Sequence, residues 1–231
     1  MTVTTVTPVV HPRLAPRRSA ARATRWWGKA WVRAVEESAY TDTDLRTARG
    51  LARAGRVGGI TVDCGGFVAS VEDDTGLVTA SGTVPVLDTA SLAALVETVA
   101  AEAGRVAALL AGDLPHSLVE HAEQTGVELL PYGAELGSSC TCGFWADPCP
   151  HALAVLYQLT WLVEADPFVL LHLRGMPRER LLAELHSRTT SGDEPPATRA
   201  DDVDTALDAA VRAARILELV DDPGRSIDHL F

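Results

Sequence analysis

Three cysteines and one histidine lie within residues 140–151, in the order Cys-Thr-Cys-Gly-Phe-Trp-Ala-Asp-Pro-Cys-Pro-His. Structural zinc sites take four tetrahedral ligands, commonly three Cys and one His, whereas catalytic zinc keeps one position open for water. The Cys-x-Cys and Cys-x-His pairs supply all four ligands and leave no position open. The segment therefore predicts a structural Zn²⁺ site formed by Cys140, Cys142, Cys149 and His151.

The residues around the two pairs can position them. Cys140 and Cys142 are two residues apart, so in an extended chain their side chains point the same way. Turn residues follow, namely Gly143, Asp147 and Pro148. Pro150 fits the first turn of a helix, which places Cys149 and His151 at a helix N-terminus. The helix dipole there favours a thiolate.

Disulfide bonds are the alternative use of these thiols. The chain has four cysteines, which could form two bridges. A bridge within Cys-x-Cys is strained, because same-face neighbours do not offer normal disulfide geometry. Cys64 lies apart, in a Gly-rich strand region, and is expected to be a small, partly buried residue. Zinc is therefore the favoured interpretation.

The ligand pattern and its flanking segments resemble those of bacterial SWIM zinc-finger proteins, which are found beside Swi/Snf-type helicases. The similarity covers most of residues 25–185. Its finger part is the Cys-x-Cys and Cys-x-His pattern with Trp145-Ala-Asp-Pro148 between the pairs, and its flanking parts are Trp26-Trp27-Gly28-Lys29-Ala30-Trp31, Ala52-Arg53-Ala54-Gly55-Arg56-Val57, Asp166-Pro167-Phe168 and Leu173-Arg174-Gly175. The resemblance implies zinc ligation by the same four residues, a helicase partner and no catalytic residue.

Enzymatic interpretations find little support in the residues. The phosphate-binding pattern G-x-x-x-x-G-K-[ST] is absent, so the chain is not itself a motor. His116 and His121, with Glu120 and Glu123 nearby, superficially suggest a metal hydrolase, but the H-E-x-x-H register is missing. A solvated helix face is the better interpretation. We therefore predict a protein that is not an enzyme and has no small-molecule substrate.

Charge is distributed unevenly along the chain. Residues 1–58 hold eleven of the twenty basic residues and four of the thirty-one acidic ones, a net +7, whereas the remainder carries −18. A cationic segment on an acidic body can contact phosphate or an acidic partner. The candidate nucleic-acid or partner-binding residues are Arg13, Arg17, Arg18, Arg22, Arg25, Lys29, Arg53 and Arg56.

The finger itself is acidic. Not one Lys or Arg occurs between Arg105 and Arg174, whereas eight Asp and Glu residues do. Duplex binding requires several cations to neutralise phosphates. The finger is therefore expected to face a protein or to be purely structural, with any DNA contact made by residues 13–56 or by a partner.

Composition and periodicity predict an α+β fold. The chain has 231 residues, 47% of them hydrophobic, enough to form a core. The expected regions are a basic disordered arm (1–24), an α+β body (25–136) with an antiparallel β-meander over 50–86, the finger and following helices (137–188), a linker (189–200) and a C-terminal helix (201–231). The stripe of Trp27, Trp31, Ala34 and Val35 indicates a core-facing helix over 25–39.

Two expectations concern location. No apolar stretch reaches the ~20 residues of a membrane-spanning helix. The N-terminus does not have the order of a secretory signal, and reduced thiols favour the cytoplasm.

The function predicted is therefore binding, as an accessory to a Swi/Snf-type helicase. One alternative is a nucleic-acid-binding module acting alone through its basic arm, and another is a zinc hydrolase, which would need an open coordination position.

Overall fold

The structure is a computed structural model that describes residues 7–18 and 23–191, with side chains to residue 188. The chain divides into two units, residues 1–185 and 186–231. The first unit holds the sheet, the finger and every helix up to the beginning of the last described one. Among the described helices, none is long and apolar enough to cross a membrane.

A five-stranded antiparallel sheet forms one layer, in the order in which its strands occur along the chain. The strands are β1 (Val9–His11), β2 (Val57–Asp63), β3 (Gly66–Asp73), β4 (Gly76–Thr83) and β5 (Gly137–Cys140). Strands β2–β4 are the predicted meander, and their inward residues alternate with exposed ones, as in a sheet with one buried face. The predicted α+β class is confirmed.

Two tight turns join the central strands. Cys64 and Gly65 connect β2 to β3, and Gly65 has a positive φ of 76°, which a glycine adopts without strain. Asp74 and Thr75 connect β3 to β4, and the preceding Asp73 accepts hydrogen bonds from the turn. Both turns lie next to clusters of side chains that could hold a metal ion.

Helices supply the other layer. They are α1 (Trp26–Ser38), α2 (Asp42–Arg53), α3 (Thr89–Ala100), α4 (Ala103–Leu110), α5 (His116–Gln124), α6 (Pro150–Ala165), α7 (Pro167–Leu173) and α8 (Arg178–Ser191), with a 3₁₀ turn at Gly133–Glu135. Helix α6 is central, because every residue from Ala152 to Trp161 is buried. It packs against α1, α2 and the sheet.

The tryptophans of α1 fix that helix onto α6. Trp27 Nε1 donates to the carbonyl of Val163 at 3.1 Å, and Trp31 Nε1 donates to that of Leu156 at 3.3 Å. Both rings are buried, and their N–H groups are satisfied by α6 carbonyls, as buried indoles require. The Trp-rich segment is therefore part of the core, as its helical spacing predicted.

Several element predictions need correction. Helix α2 was not predicted, although Thr41 caps it by accepting from the N–H of Asp44 at 3.1 Å. Asp88 caps α3 by accepting from the N–H of Ser91 at 2.7 Å. Helix α4 is separate from α3, and α8 extends into the predicted linker. The linker beyond residue 191 and the predicted helix 201–231 lie outside the described residues.

The N-terminal segment is ordered where the structure describes it, so the prediction of a disordered arm is wrong for residues 7–18. Strand β1 pairs with β2 through the partners Val9↔Val62, Val10↔Thr61 and His11↔Ile60. Beyond it, the N–H of Arg17 donates to the carbonyl of Arg53 at 2.9 Å. A short apolar strand was hidden by its Pro- and Arg-rich surroundings.

Candidate metal centre

Strand β5 positions the first ligand pair. Cys140 lies opposite Ala80 in the β4–β5 ladder, and Thr141 continues the contact by donating its N–H to the carbonyl of Thr79 at 3.0 Å. Gly143 then takes a positive φ of 68°, which turns the chain directly after Cys142. The backbone of the sheet therefore holds one half of the centre.

The N-terminus of α6 positions the second pair. Cys149 is the N-cap residue, and its Sγ accepts from the N–H of Ala152 at 3.4 Å. Pro150 occupies the first helical turn, where its missing N–H removes no helix bond. The thiol of Cys149 and the imidazole of His151 thus begin the helix that forms the middle of the core.

The four side chains converge as predicted. The Sγ atoms of Cys140, Cys142 and Cys149 and one ring nitrogen of His151 all lie within 4.8 Å of one another. The edge of a tetrahedral zinc site is about 3.3–3.8 Å given the usual Zn–S and Zn–N lengths, so a shift of about 1 Å closes the set. No disulfide joins the cysteines, because all four in the chain are free thiols.

Histidine 151 presents the correct nitrogen for a metal. Its Nε2 lies 2.9 Å from Oδ2 of Asp73, whereas its buried Nδ1 has no hydrogen-bond partner. A buried polar atom without a partner costs folding free energy, so a partner for it is expected. A metal ion bound to Nδ1 supplies that partner, so these residues fit zinc. The protein binds zinc through this Cys₃His cluster.

Asp73 orients the histidine from the β3–β4 turn. Its Oδ1 accepts from Thr75 Oγ1 at 2.7 Å, from Thr75 N at 2.8 Å and from Gly76 N at 3.0 Å, which leaves Oδ2 for His151. These bonds, those of Thr75 first, lower the pKa of the Asp73 carboxyl to about 2. A carboxylate on the outer nitrogen fixes the tautomer and strengthens a metal-bound imidazole.

The thiols differ in how easily they ionise. Burial raises the pKa of Cys149 to about 12 and also raises that of Cys140. For Cys142 the effect of burial is outweighed by the N–H of Phe144 and by His151, which lower its pKa to about 7. A dication is therefore needed to hold all three as thiolates, and zinc binding releases protons.

An exposed aromatic patch lies beside the centre. We define the aromatic patch as Tyr40, Phe144 and Trp145. Tyr40 and Trp145 are 71% and 70% exposed, and their rings meet edge to face at 4.8 Å. Phe144 lies 5.8 Å from Trp145. Two of the three residues come from the loop between the ligand pairs, so the metal centre fixes their position.

The predicted basic residues do not form one surface. Arg13 and Arg56 both pair with Glu72, at 3.7 and 3.3 Å, and Arg25 pairs with Asp113 at 3.0 Å. Arg17 stacks on the ring of Trp161 at 4.0 Å. Arg18 is exposed, and Arg22 lies outside the described residues. The three ion pairs hold much of the basic segment against its own acidic body.

Lys29 and Arg53 instead line a cavity of about 670 Å³. Further cations from α1 and α2 line it too, and the full cationic set is Lys29, Arg33, Arg46, Arg49 and Arg53. Arg49 is bound to Glu36 and donates to the Tyr157 hydroxyl at 2.9 Å. We call this space the basic cavity. Arg46 and Arg49 of α2 were not considered as candidates, whereas Arg53 at the end of this helix was.

The other predicted histidines have ordinary roles. His116 pairs with Glu120 at 3.2 Å on an exposed helix face, as expected, and its ring packs on Trp26. His121 Nδ1 lies 3.0 Å from Nη1 of the buried Arg105. Within residues 7–18 and 23–188, the clusters suited to a metal ion are the finger and a second set around Cys64.

Comparison with known proteins agrees with this geometry. The SWIM zinc finger family matches residues 127–159, which include all four ligands and the first turns of α6. An uncharacterized protein of Mycobacterium tuberculosis, Rv2102, is 32% identical over 211 residues, covering 88% of this chain and 76% of the relative. No solved structure matches the chain. By this extent of identity the protein belongs to the same family as the mycobacterial relative, and its metal centre is a SWIM zinc finger.

Proposed function

We propose that this protein is a zinc-stabilised adaptor that binds a protein partner through the aromatic patch and catalyses no reaction itself. The partner proposed, from the resemblance of the finger and its flanks, is a Swi/Snf-type helicase in the cytoplasm. The single observation that carries the proposal is the placement of Tyr40, Phe144 and Trp145 in solvent beside the ligands. Exposed aromatic clusters mark protein-binding surfaces, where Trp and Tyr dominate the binding energy.

The charge around the finger favours a protein over a nucleic acid. Arg105 and Arg174, which border the stretch without Lys or Arg, are both buried and donate to backbone carbonyls. They are therefore unavailable to phosphates. Nucleic-acid affinity depends on neutralising several phosphates, which this part of the surface does not support.

The closed coordination set supports a binding role over hydrolysis. Three thiols and one imidazole complete a tetrahedral zinc ion, so this centre has no position for the water that a zinc hydrolase activates. The loop between the pairs gains a fixed shape from the metal, which reduces the entropy lost when its aromatic residues bind a partner.

Capture of the tagged protein from its own host, with and without nuclease, tests the proposal. We expect a Swi/Snf-type helicase to be retained after nuclease treatment and lost with Trp145→Ala. Loss of a Trp hot spot costs at least about 2 kcal/mol, or roughly 30-fold in affinity. The affinity is then measured with the purified helicase by calorimetry.

Val10→Ala is the matched control, because Val10 has the same exposed fraction as Trp145, 70%, but lies on β1. It should leave the affinity unchanged. Equal binding by Trp145→Ala and the wild type would contradict the role of the aromatic patch. Loss of the helicase on nuclease treatment would contradict a direct protein contact.

The basic cavity favours a second function, binding of a nucleic-acid strand. Among the described residues neither Lys29 nor Arg53 has an ion pair, so both cations are available to phosphate. Aromatic rings of Tyr157 and Trp161 line the same space. Cations with aromatic side chains are the combination used by proteins that bind single strands.

Point substitution tests this second function more sharply than removal of residues 1–25, which would also delete β1. Binding of a fluorescent single-stranded DNA is measured between about 50 and 200 mM salt. Arg53→Gln and Lys29→Gln should each weaken binding and lower the log–log salt slope by about 0.7. Arg13→Gln, whose cation pairs with Glu72, serves as the control and should leave the slope unchanged. Equal slopes in all variants would exclude the cavity.

A further inference from the structure

A second cluster of metal-ligating side chains lies at the opposite end of β3 from Asp73. A carboxylate oxygen of Asp63, the Sγ of Cys64 and a ring nitrogen of His172 all lie within 4.8 Å of one another. Asp63 is the last residue of β2, Cys64 lies in the β2–β3 turn, and His172 belongs to α7. His172 lies 109 positions after Asp63 and 108 after Cys64, so only the fold brings the three residues together.

His172 has a buried imidazole nitrogen without a partner. The residue is 6% exposed, and its buried Nε2 has no hydrogen-bond partner. A buried polar nitrogen of this kind is costly unless something binds it. The finger histidine has the same feature, because the buried Nδ1 of His151 also has no hydrogen-bond partner. In both clusters an imidazole with an unpaired buried nitrogen lies beside a thiol.

The backbone holds the two segments in place. The N–H of Gly65, the residue after Cys64, donates to the carbonyl of Leu173, the residue after His172, at 2.9 Å. The carbonyl of Gly65 accepts from the N–H of Val84 at 3.0 Å. A Cβ at Gly65 would meet Val86 at 2.7 Å, so the turn is also tightly packed. The ligands are therefore pre-organised, as a metal site requires.

The donor set indicates the kind of ion. We propose that Asp63, Cys64 and His172 bind a second transition-metal dication, of which Zn²⁺ is the best match. Thiolate and imidazole together select zinc-like ions over Mg²⁺ or Ca²⁺, which prefer oxygen. The carboxylate and the thiolate balance the charge of the dication. The N–H of Cys64 already binds Oδ1 of Asp63 at 2.7 Å, so the other oxygen serves the metal.

This site differs from the finger in having three protein ligands. A tetrahedral ion bound there keeps one position for water or for an exogenous ligand, the arrangement of catalytic and exchangeable zinc. Cys64 is half-buried, which gives the ion a route from solvent. A small cavity of about 160 Å³ is lined by His172 together with His11 and Glu179. The second ion is therefore held less tightly than the first.

Metal stoichiometry of the full chain tests the proposal. The apo-protein is titrated with Co²⁺, and thiolate-to-cobalt absorption and bound metal are measured together. We expect about two equivalents per chain for the wild type, and about one for Cys64→Ser, His172→Gln and Asp63→Asn. With zinc, a mild chelator should remove the weaker equivalent first. Addition of imidazole should change the cobalt spectrum of the wild type through the open position.

His116→Gln is the control, since this exposed histidine belongs to neither cluster, and it should keep about two equivalents. Asp63→Asn keeps an acceptor for the Cys64 N–H, so it preserves the turn even where substitution of the buried His172 impairs folding. One equivalent in the wild type, or two in all three variants, would overturn the proposal.

Discussion

At the scale of single residues, Asp73 is the side chain outside the motif on which the finger depends. Its Oδ2 is hydrogen-bonded to Nε2 of His151, so it fixes which ring nitrogen faces the metal. We predict that Asp73→Asn weakens zinc affinity by about 10- to 100-fold, because the amide no longer offers a charged acceptor. Competition with a chromophoric chelator measures the affinity directly.

Asp74→Asn is the control for that prediction. Asp74 lies in the same turn and carries the same charge as Asp73. The hydrogen-bond partner of His151 Nε2, however, is the carboxylate of Asp73. Its substitution should leave zinc affinity within about twofold, as expected for an exposed change of charge. A zinc affinity of Asp73→Asn equal to that of the wild type would show that the carboxylate does not support the ligand.

The ligands were predictable and Asp73 was not, for a physical reason. Cys140 to His151 occupy one short segment, whose spacing alone indicates a tetrahedral site. Asp73 is 78 positions before His151 and reaches it only through the β3–β4 turn. Cys64 was expected to be a small, partly buried residue, because only the tertiary fold places it beside His172.

At the scale of elements, α6 connects the metal centre to the hydrophobic core. Cys149 and His151 at its N-terminus are two of the four ligands, and its next turns pack against α1, α2 and the sheet. We predict that Cys149→Ser or His151→Ala unfolds residues 137–175 and lowers the melting temperature by on the order of 10 °C or more, because zinc binding contributes to folding free energy. Calorimetry and bound zinc are measured together.

Cys149→Ser isolates the metal in this experiment. Serine is a good N-cap, so it can still accept from the N–H of Ala152 while it weakens zinc binding. Chelator treatment should reproduce its effect, and the same chelator preloaded with zinc should not. Retained zinc together with an unchanged melting profile would contradict a structural role for the finger.

Elements with strong periodicity or defined turns were predictable, and short ones were not. The stripe on α1, the meander of strands β2–β4 and the start of α6 at Pro150 were all recognised from local pattern. Helix α2 has few apolar residues and was overlooked despite its Thr41 cap. Strands β1 and β5 have three and four residues, too few for alternation to show, and pair only because the sheet offers its edges.

At the scale of the whole molecule, the uneven charge does not produce a free cationic arm in the described residues. Arg13, Arg25 and Arg56 pair with acids of the body. Each pair is exposed, so each contributes at most about 1 kcal/mol. Together with β1 they nevertheless direct the basic segment along the surface and leave Lys29 and Arg53 at the basic cavity.

The N-terminal segment is therefore expected to stabilise the first unit. Deletion of residues 1–18 removes β1, the bond from Arg13 Nε to the carbonyl of Gly55 at 2.7 Å and the stacking of Arg17 on Trp161. Each backbone hydrogen bond lost costs about 0.5–1.5 kcal/mol, so we predict a loss of a few kcal/mol in the free energy of unfolding, measured by urea denaturation. The deletion also leaves β2 as an unpaired edge, which favours aggregation detectable by light scattering.

Deletion of residues 1–6 is the control, because it keeps β1 intact. If the segment were a free arm, the two shortened proteins would have the same free energy of unfolding. Equal urea midpoints would therefore contradict the packing of this segment.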